Sequence, residues 1–150
     1  MKYYFAYGSN MAGTQMFQRC PGCRTLGRAQ LQGYRWIIST RGFANIIRSE
    51  NEVVEGVLYA ISAADEAALD EHEGVAKGCY YKETLAIRFA GKELEAMVYI
   101  DPTVCEGEPK DEYVDRMHAA LSEADLPSWY VAKYMGRFIG NQGSQVSVLI

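Results

Sequence analysis

The pattern of hydrophobic and polar positions predicts mostly strands in the first part of the chain. The opening run KYYFAY is short and dense in aromatic residues, as a buried strand is. Branched and aromatic residues also dominate AQLQGYRWIIST, FANIIRS and EVVEGVLYAIS, and Arg41–Gly42 interrupts the first two of these segments. We therefore expect a sheet-rich first half, with one short helix, GTQMFQR, that Thr14 is expected to cap.

Helical and strand patterns are mixed in the second half. Ser62, followed three residues later by Asp65, predicts the start of the helix AADEAALDEHE, which is expected to end at Gly74. Hydrophobic residues alternate along YYKETLAIRFAGKELEAMVYID on both sides of an Ala-Gly-Lys turn, as in a hairpin.

The last third predicts two more helices and a final strand. KDEYVDRMHAALSEA carries Tyr113, Met117, Ala120 and Leu121 on one helical stripe. PSWYVAKYMGRFIG begins a second helix at Pro127, and SQVSVLI is expected to be a brief strand. Strands and helices without regular alternation favour an α+β fold over a doubly wound sheet.

Length and charge narrow the class of protein. The 150 residues are expected to form a single domain, residues 1–150. The 15 basic against 19 acidic residues give a net charge of −4, which argues against a nucleic-acid or membrane partner and favours a small-molecule substrate. The first residues are too short an apolar run for a signal peptide or a membrane span, so we expect a cytoplasmic protein. A homodimer is left open.

The cysteines suggest a redox or metal site, but their spacing does not support it. Cys20-Pro21-Gly22-Cys23 has no second close pair for zinc, because Cys79 and Cys105 are isolated. This pair also follows a predicted helix, whose negative end disfavours a thiolate. We therefore expect no metal and no cofactor, and a Pro-Gly turn between two ordinary thiols, with redox chemistry as the alternative.

The remaining candidate chemistry lies in LDEHEGV and in the turn YGSNM. Carboxylates at the C-terminal end of a helix cost stability, so the acidic cluster suggests function at one of them, with a solvated acidic face as the alternative. Glu73 is the last residue before Gly74, where a carboxyl can be directed into a cleft. The chain has neither a G-x-S-x-G elbow nor a phosphate-binding glycine loop.

Three segments occur along the chain in the order FAYGSNM, LDEHEGV and KGCYYKE. Together they resemble the gamma-glutamylcyclotransferase (AIG2-like) family, and DLPSWYVAKY is similar to its C-terminal segment. The resemblance implies a small mixed β-barrel with flanking helices. It also implies a reaction without a cofactor, in which the α-amine of a gamma-glutamyl amide attacks the side-chain carbonyl and releases 5-oxoproline and the free amine or amino acid. A binding module for a small carboxylate on the same fold is the alternative.

The same resemblance assigns roles to residues. It implies that Glu73 is the catalytic acid and base, with a pKa that burial would raise, whereas the adjacent Glu71 has no such role. A glycine turn can present N–H groups to a carboxylate or an oxyanion. The implied substrate-binding residues are Tyr4, Phe5, Ala6, Tyr7, Gly8, Ser9, Asn10, Tyr80 and Tyr130. Packing in the core is an equal alternative for the last two tyrosines, and the leaving group stays open.

Overall fold

A computed structural model gives the structure of residues 1–140. They form the strands β1 (Lys2–Ala6), β2 (Arg24–Ile38), β3 (Ala44–Ile61), β4 (Tyr81–Phe89) and β5 (Lys92–Ile100), and the helices α1 (Gly13–Arg19), α2 (Ala63–His72), α3 (Asp111–Ala124) and α4 (Ser128–Met135). Short 3-10 turns lie at Ser9–Met11 and Val75–Lys77, and a π-helical turn, Gly136–Gly140, follows α4.

The five strands close into a barrel in the order β1-β3-β2-β4-β5. β1 joins β5 in parallel at Tyr4 and Met97, and every other neighbouring pair in the barrel is antiparallel. The β4–β5 hairpin forms as predicted and turns through Ala90 and Gly91, both at positive φ, but the alternation stops in β5, where every residue from Ala96 to Ile100 is buried. This confirms the predicted α+β fold with a small mixed barrel and flanking helices.

One strand differs from the sequence prediction. FANIIRS and EVVEGVLYAIS were expected to be separate strands, but β3 contains nearly all of both. The polar residues between them form a bulge, where the register shifts opposite Gln32 to Tyr34 and Asn51 takes a φ of 66°. Asparagine tolerates this left-handed conformation, so the strand continues through a segment whose composition predicts a loop.

Local sequence signals set both ends of α2. Ser62 and Asp65 form the predicted capping box at the start of α2, and Gly74 leaves its end at a φ of 63°. The prediction for Thr14 was wrong, because α1 begins at Gly13 and the Thr14 hydroxyl donates instead to Glu123 of α3, at 3.1 Å.

The core fills the barrel and the space beneath the helices. Trp36, Phe5 and Leu58 are almost fully buried, each worth about 1.5–3 kcal/mol of hydrophobic free energy. The stripe on α3 is buried as predicted at Tyr113 and Met117, which places this helix against the turn that follows β1.

Two predictions concern the C-terminal part of the chain. The helix predicted from Pro127 begins with α4 at Ser128, and the predicted strand SQVSVLI lies outside the described residues. Within residues 1–140, no helix is long and apolar enough to span a membrane.

Candidate active site

A cavity of about 330 Å³ opens between β1, the turn after it, the end of α2 and α3. Most of the residues that the resemblance implied meet there. Glu73 and these predicted binding residues line it: Tyr4, Phe5, Tyr7, Gly8, Ser9, Asn10 and Tyr80. The barrel thus brings together two chain segments that lie far apart in sequence.

Glu73 is the residue that caps the C-terminal end of α2. Its side chain is partly buried and faces the cavity, and its carboxylate makes no hydrogen bond or ion pair to any residue within the described range. The other acids of the cluster differ: Glu71 is exposed, and Asp70 accepts a hydrogen bond from Tyr99 at 2.7 Å and pairs with Lys82. A solvated acidic face therefore accounts for Glu71 but not for Glu73.

The surroundings of Glu73 move the pKa of its carboxyl into the neutral range. Burial raises the pKa of its carboxyl to about 7, and the positive charges of Arg19, Arg116 and Arg41 limit the rise. A carboxyl with this pKa exists in both forms near neutral pH, so it can take up a proton and return it.

The turn after β1 is held by its own hydrogen bonds. The backbone N–H of Ser9 donates to the Tyr113 hydroxyl at 3.2 Å, and that of Met11 donates to the Gly8 carbonyl at 3.0 Å. Gln15 donates to the Ser9 hydroxyl oxygen at 2.9 Å. The row of N–H donors expected from the sequence is therefore partly occupied, whereas the Ser9 hydroxyl keeps its own proton to donate.

The side chain of Asn10 makes three hydrogen bonds, and its backbone carbonyl accepts a fourth. Its side-chain oxygen accepts from Gln15 at 2.8 Å and from Arg19 at 2.9 Å, and its side-chain nitrogen donates to the Tyr4 hydroxyl at 3.0 Å. Tyr59 donates to its carbonyl at 2.7 Å. Asn10 thus orients Arg19 and Tyr4 at the cavity and has little hydrogen-bonding capacity left for a ligand.

Neutral tyrosines form much of the cavity wall. Tyr7 donates to the Tyr99 carbonyl at 2.6 Å, and Tyr80 donates to the Ala44 carbonyl at 2.9 Å. Burial raises the pKa of Tyr4, Tyr7 and Tyr80 well above the usual value, so these hydroxyls keep their protons. The tyrosine part of the wall around Glu73 is therefore uncharged, and hydrogen bonds to backbone carbonyls hold Tyr7 and Tyr80 in place.

Three cavity arginines were missed by the sequence analysis: Arg19, Arg41 and Arg116. They come from α1, the β2–β3 connection and α3, and no local motif marks them as a group. One sequence signal could have pointed to Arg116, because it follows Tyr113 by three residues and the two side chains therefore share a face of α3.

Two predicted residues do not line the cavity. Ala6 is buried in β1 opposite Val57. Tyr130 is fully buried in α4 against Trp129 and Tyr134, and no hydrogen-bond partner of its hydroxyl occurs in residues 1–140. Tyr130 thus occupies a core position outside the cavity, because the face of α4 that carries it packs inward, and its implied substrate contact stays a prediction.

The cysteine pair lies outside the cavity. Cys20 and Cys23 are both buried, and Cys23 closes the predicted turn by donating its N–H to the Cys20 carbonyl at 3.0 Å. Burial raises the pKa of Cys20 to about 12, which disfavours a thiolate. No cluster of three or more potential metal ligands occurs in the part of the chain that the structure describes.

Comparisons with known proteins agree with this geometry. The family model described as "Gamma-glutamyl cyclotransferase, AIG2-like" matches residues 4–122. Human gamma-glutamylcyclotransferase is 28% identical over 141 residues, covering 87% of this chain and 75% of the human protein.

Solved structures have the same fold. A structure named gamma-glutamyl cyclotransferase superposes with a TM-score of 0.79 at 26% identity, covering 88% of this chain and 85% of the other. YkqA from Bacillus subtilis superposes with a TM-score of 0.76 at 23% identity, covering 88% of this chain and 52% of YkqA, and shows the fold alone. The family match spans most of the chain and contains Glu73 and the turn after β1, so the chain belongs to the gamma-glutamyl cyclotransferase, AIG2-like family.

Proposed function

We propose that this protein is a cyclotransferase that cleaves a gamma-glutamyl amide and releases 5-oxoproline and the free amine or amino acid. The observation that carries the proposal is the carboxyl of Glu73, which has a pKa of about 7 and no partner among residues 1–140, in a cavity of about 330 Å³. The family membership supports the same reaction class.

Glu73 serves as base and then as acid. Its carboxylate takes a proton from the α-ammonium of the substrate, and the resulting amine attacks the side-chain amide carbon to close a five-membered ring. The bond to the leaving nitrogen then breaks. Both protons lost by the α-nitrogen end on the leaving nitrogen, which departs as an ammonium ion, and Glu73 returns to the carboxylate.

The cavity supplies orientation and charge. Ring closure needs the α-nitrogen held against the amide carbon, which the tyrosine walls favour by restricting the glutamyl chain. The tetrahedral intermediate carries a negative oxygen, which the Ser9 hydroxyl and the cationic side chains around the cavity are suited to stabilise. No step requires a metal or a cofactor.

The test is release of 5-oxoproline from a panel of gamma-glutamyl amino acids and gamma-glutamyl amines by the wild type and by Glu73→Gln. We expect release by the wild type and a decrease of about 10²- to 10⁴-fold in the variant, since glutamine keeps the shape but cannot titrate. Circular dichroism and a melting curve check that the variant is folded. Undiminished release by Glu73→Gln would remove this residue from the mechanism.

A non-catalytic binding module is the competing explanation, and the same panel separates the two. Saturable binding of a gamma-glutamyl compound without 5-oxoproline would favour the module. The carboxyl of Glu73 in the cavity argues for catalysis. A site built only to hold the carboxylate of a ligand gains nothing from a protein carboxylate beside it that repels the ligand.

A further inference from the structure

Gln15 on α1 makes two hydrogen bonds to cavity residues, although it does not line the cavity itself. Its side-chain nitrogen donates to the Ser9 hydroxyl oxygen at 2.9 Å and to the Asn10 side-chain oxygen at 2.8 Å. Ser9 and Asn10 both belong to the turn after β1, and both line the cavity. Gln15 therefore supports this turn from outside the cavity.

The direction of each hydrogen bond follows from Arg19. A guanidinium can only donate, so the Asn10 atom that lies 2.9 Å from Arg19 is the side-chain oxygen. The Asn10 nitrogen then faces the Tyr4 hydroxyl at 3.0 Å and donates to it. Because the Asn10 oxygen can only accept, the Gln15 atom that faces it is the side-chain nitrogen. The same nitrogen faces the Ser9 hydroxyl, so Ser9 accepts from Gln15.

This direction determines what the Ser9 hydroxyl can do. A hydroxyl has one proton, and its oxygen here accepts from Gln15, so the proton points toward another group. No acceptor for this proton occurs within residues 1–140, and Ser9 lines the cavity. The proton is therefore available to an oxygen atom of a bound ligand.

The position of Gln15 is fixed by the packing of α1. Met16, the next residue, is fully buried. Thr14, the residue before, donates its backbone N–H and its hydroxyl to the Glu123 carboxylate of α3, at 3.3 and 3.1 Å. Arg19 lies one turn later on the same face of α1 as Gln15. The helix thus holds the Gln15 amide against the turn after β1.

We infer that Gln15 is a positioning residue, which directs the Ser9 hydroxyl proton into the cavity so that it donates to the negative oxygen of the tetrahedral intermediate. This inference rests on the proposed function. Gln15 does not line the cavity, so it acts through Ser9 and not on the substrate. Its contribution arises because a donor that already points at the developing charge needs no reorientation during the reaction.

Gln15→Glu reverses the hydrogen bond with little change of shape. A carboxylate can only accept, so Ser9 donates its proton to the new carboxylate and no longer to the intermediate. We expect kcat for 5-oxoproline release to fall about 10²-fold, the order of loss when one oxyanion donor is removed, with KM within about threefold of the wild type. The substrate is whichever compound of the gamma-glutamyl panel the wild type cleaves fastest.

Gln18→Glu is the matched control for the added charge. Gln18 lies on the same helix, is exposed and does not line the cavity. Its kcat should stay within about twofold of the wild type, because water and salt screen an exposed charge. Equal losses in the two variants would mean that the charge and not the hydrogen bond slows the reaction, which contradicts the inference.

Gln15→Met separates an action through Ser9 from an action through Asn10, and it carries the test if Gln15→Glu does not fold. Methionine has a similar length but donates nothing, so kcat should fall about 2- to 10-fold, the range for one net hydrogen bond. In a Ser9→Ala background, which lacks the hydroxyl, the same substitution should cause no further decrease. An equal further decrease there would assign the effect to Asn10 and contradict the inference.

Melting curves of every variant show which losses come from unfolding. A folded Gln15→Glu protein with the wild-type kcat would overturn the inference, whereas release by the wild type would leave the proposed function standing. A loss confined to KM would place Gln15 in substrate binding and overturn the inference as well. No 5-oxoproline from any compound of the panel, with the wild type folded, would overturn the proposed function and the inference with it.

Discussion

The Tyr113 hydroxyl oxygen in α3 lies 3.2 Å from the backbone nitrogen of Ser9, although the two residues are 104 positions apart in the chain. The Tyr113 hydroxyl also leaves no room for a side chain at Gly8. A Cβ on Gly8 would come within 2.5 Å of this oxygen and 3.2 Å of the Ala44 Cβ. Gly8 has a negative φ of −121°, so the left-handed conformation does not explain the glycine, and the close contacts show that it is required for space.

Gly8→Ala should therefore displace Tyr113 and distort the turn after β1. We expect a decrease of about 1–3 kcal/mol in the free energy of unfolding, the usual cost of overpacking, with a lower kcat/KM. Adding Tyr113→Phe removes the clashing oxygen and should restore part of the stability. Urea denaturation of the single and double variants measures both effects, and a Gly8→Ala protein as stable as the wild type would show that the contact does not constrain this position.

The rate of 5-oxoproline release should depend on the ionisation of Glu73. The carboxylate is the active base and its pKa is about 7, so kcat/KM should rise with pH to a midpoint near 7 and fall about tenfold per unit well below it. A pH–rate profile from pH 5 to 8 measures this dependence. The residual activity of Glu73→Gln should lack this midpoint, and an unchanged midpoint in that variant would assign it to another group.

The same pKa predicts how stability changes with pH. The carboxyl rises from an ordinary pKa of 4.5 to about 7 in the folded state, so the folded protein binds this proton more tightly. The resulting stability is full below 4.5 and is lost as the pH rises through 7. Each pH unit between the two values is worth about 1.4 kcal/mol, so the upper bound is about 3.5 kcal/mol. The contribution itself is smaller, because the side chain is partly exposed.

Glu73→Gln isolates this contribution, because glutamine is neutral throughout. We expect the unfolding free energy of the variant, relative to the wild type, to increase between pH 4 and pH 8. Urea denaturation at several pH values gives the difference curve. Parallel curves for the two proteins would mean that Glu73 has an ordinary pKa in the folded state.

Tyr130→Phe tests the one predicted binding tyrosine that lies outside the cavity. Its hydroxyl is buried without a hydrogen-bond partner in the described part of the chain, so removing it should leave the melting temperature unchanged or raise it. The kcat/KM should stay within about twofold of the wild type, the small change expected of a core position away from the reacting atoms. A large decrease in kcat/KM with an unchanged fold would restore Tyr130 to the substrate site.

Cys20→Ala with Cys23→Ala tests the redox alternative. Neither thiol lines the cavity, and burial holds the pKa of both above the usual range. We expect the double variant to keep its turnover and to lose about 1–2 kcal/mol of stability from the smaller buried volume. Loss of turnover in a folded double variant would indicate a functional thiol.

Much of the fold could be predicted because its signals are local. The capping box at Ser62 and the left-handed Gly74 define both ends of α2, and hydrophobic alternation defines the β4–β5 hairpin. The break in β3 was predicted wrongly, because its polar middle resembles a loop and only pairing with β2 keeps it extended.

The candidate site was predictable to the extent that it lies in motifs. Glu73 stood out because carboxylates are unfavourable at a helix C-terminus, and the turn after β1 stood out because small polar residues follow an aromatic strand. Arg19, Arg41 and Arg116 come from separate elements, and only tertiary packing brings them together at the cavity. The burial of Tyr130 could not be predicted, because a local pattern does not say which face of α4 the barrel covers.

The carboxyl that performs the proposed chemistry lies at the end of α2, whereas Tyr113 and Arg116, which line the same cavity, belong to α3. Substitutions on the cavity face of α3 can thus reshape the cavity without replacing the residue that transfers the proton. In evolutionary terms, this division lets related chains diverge in substrate while they inherit the same proton transfer.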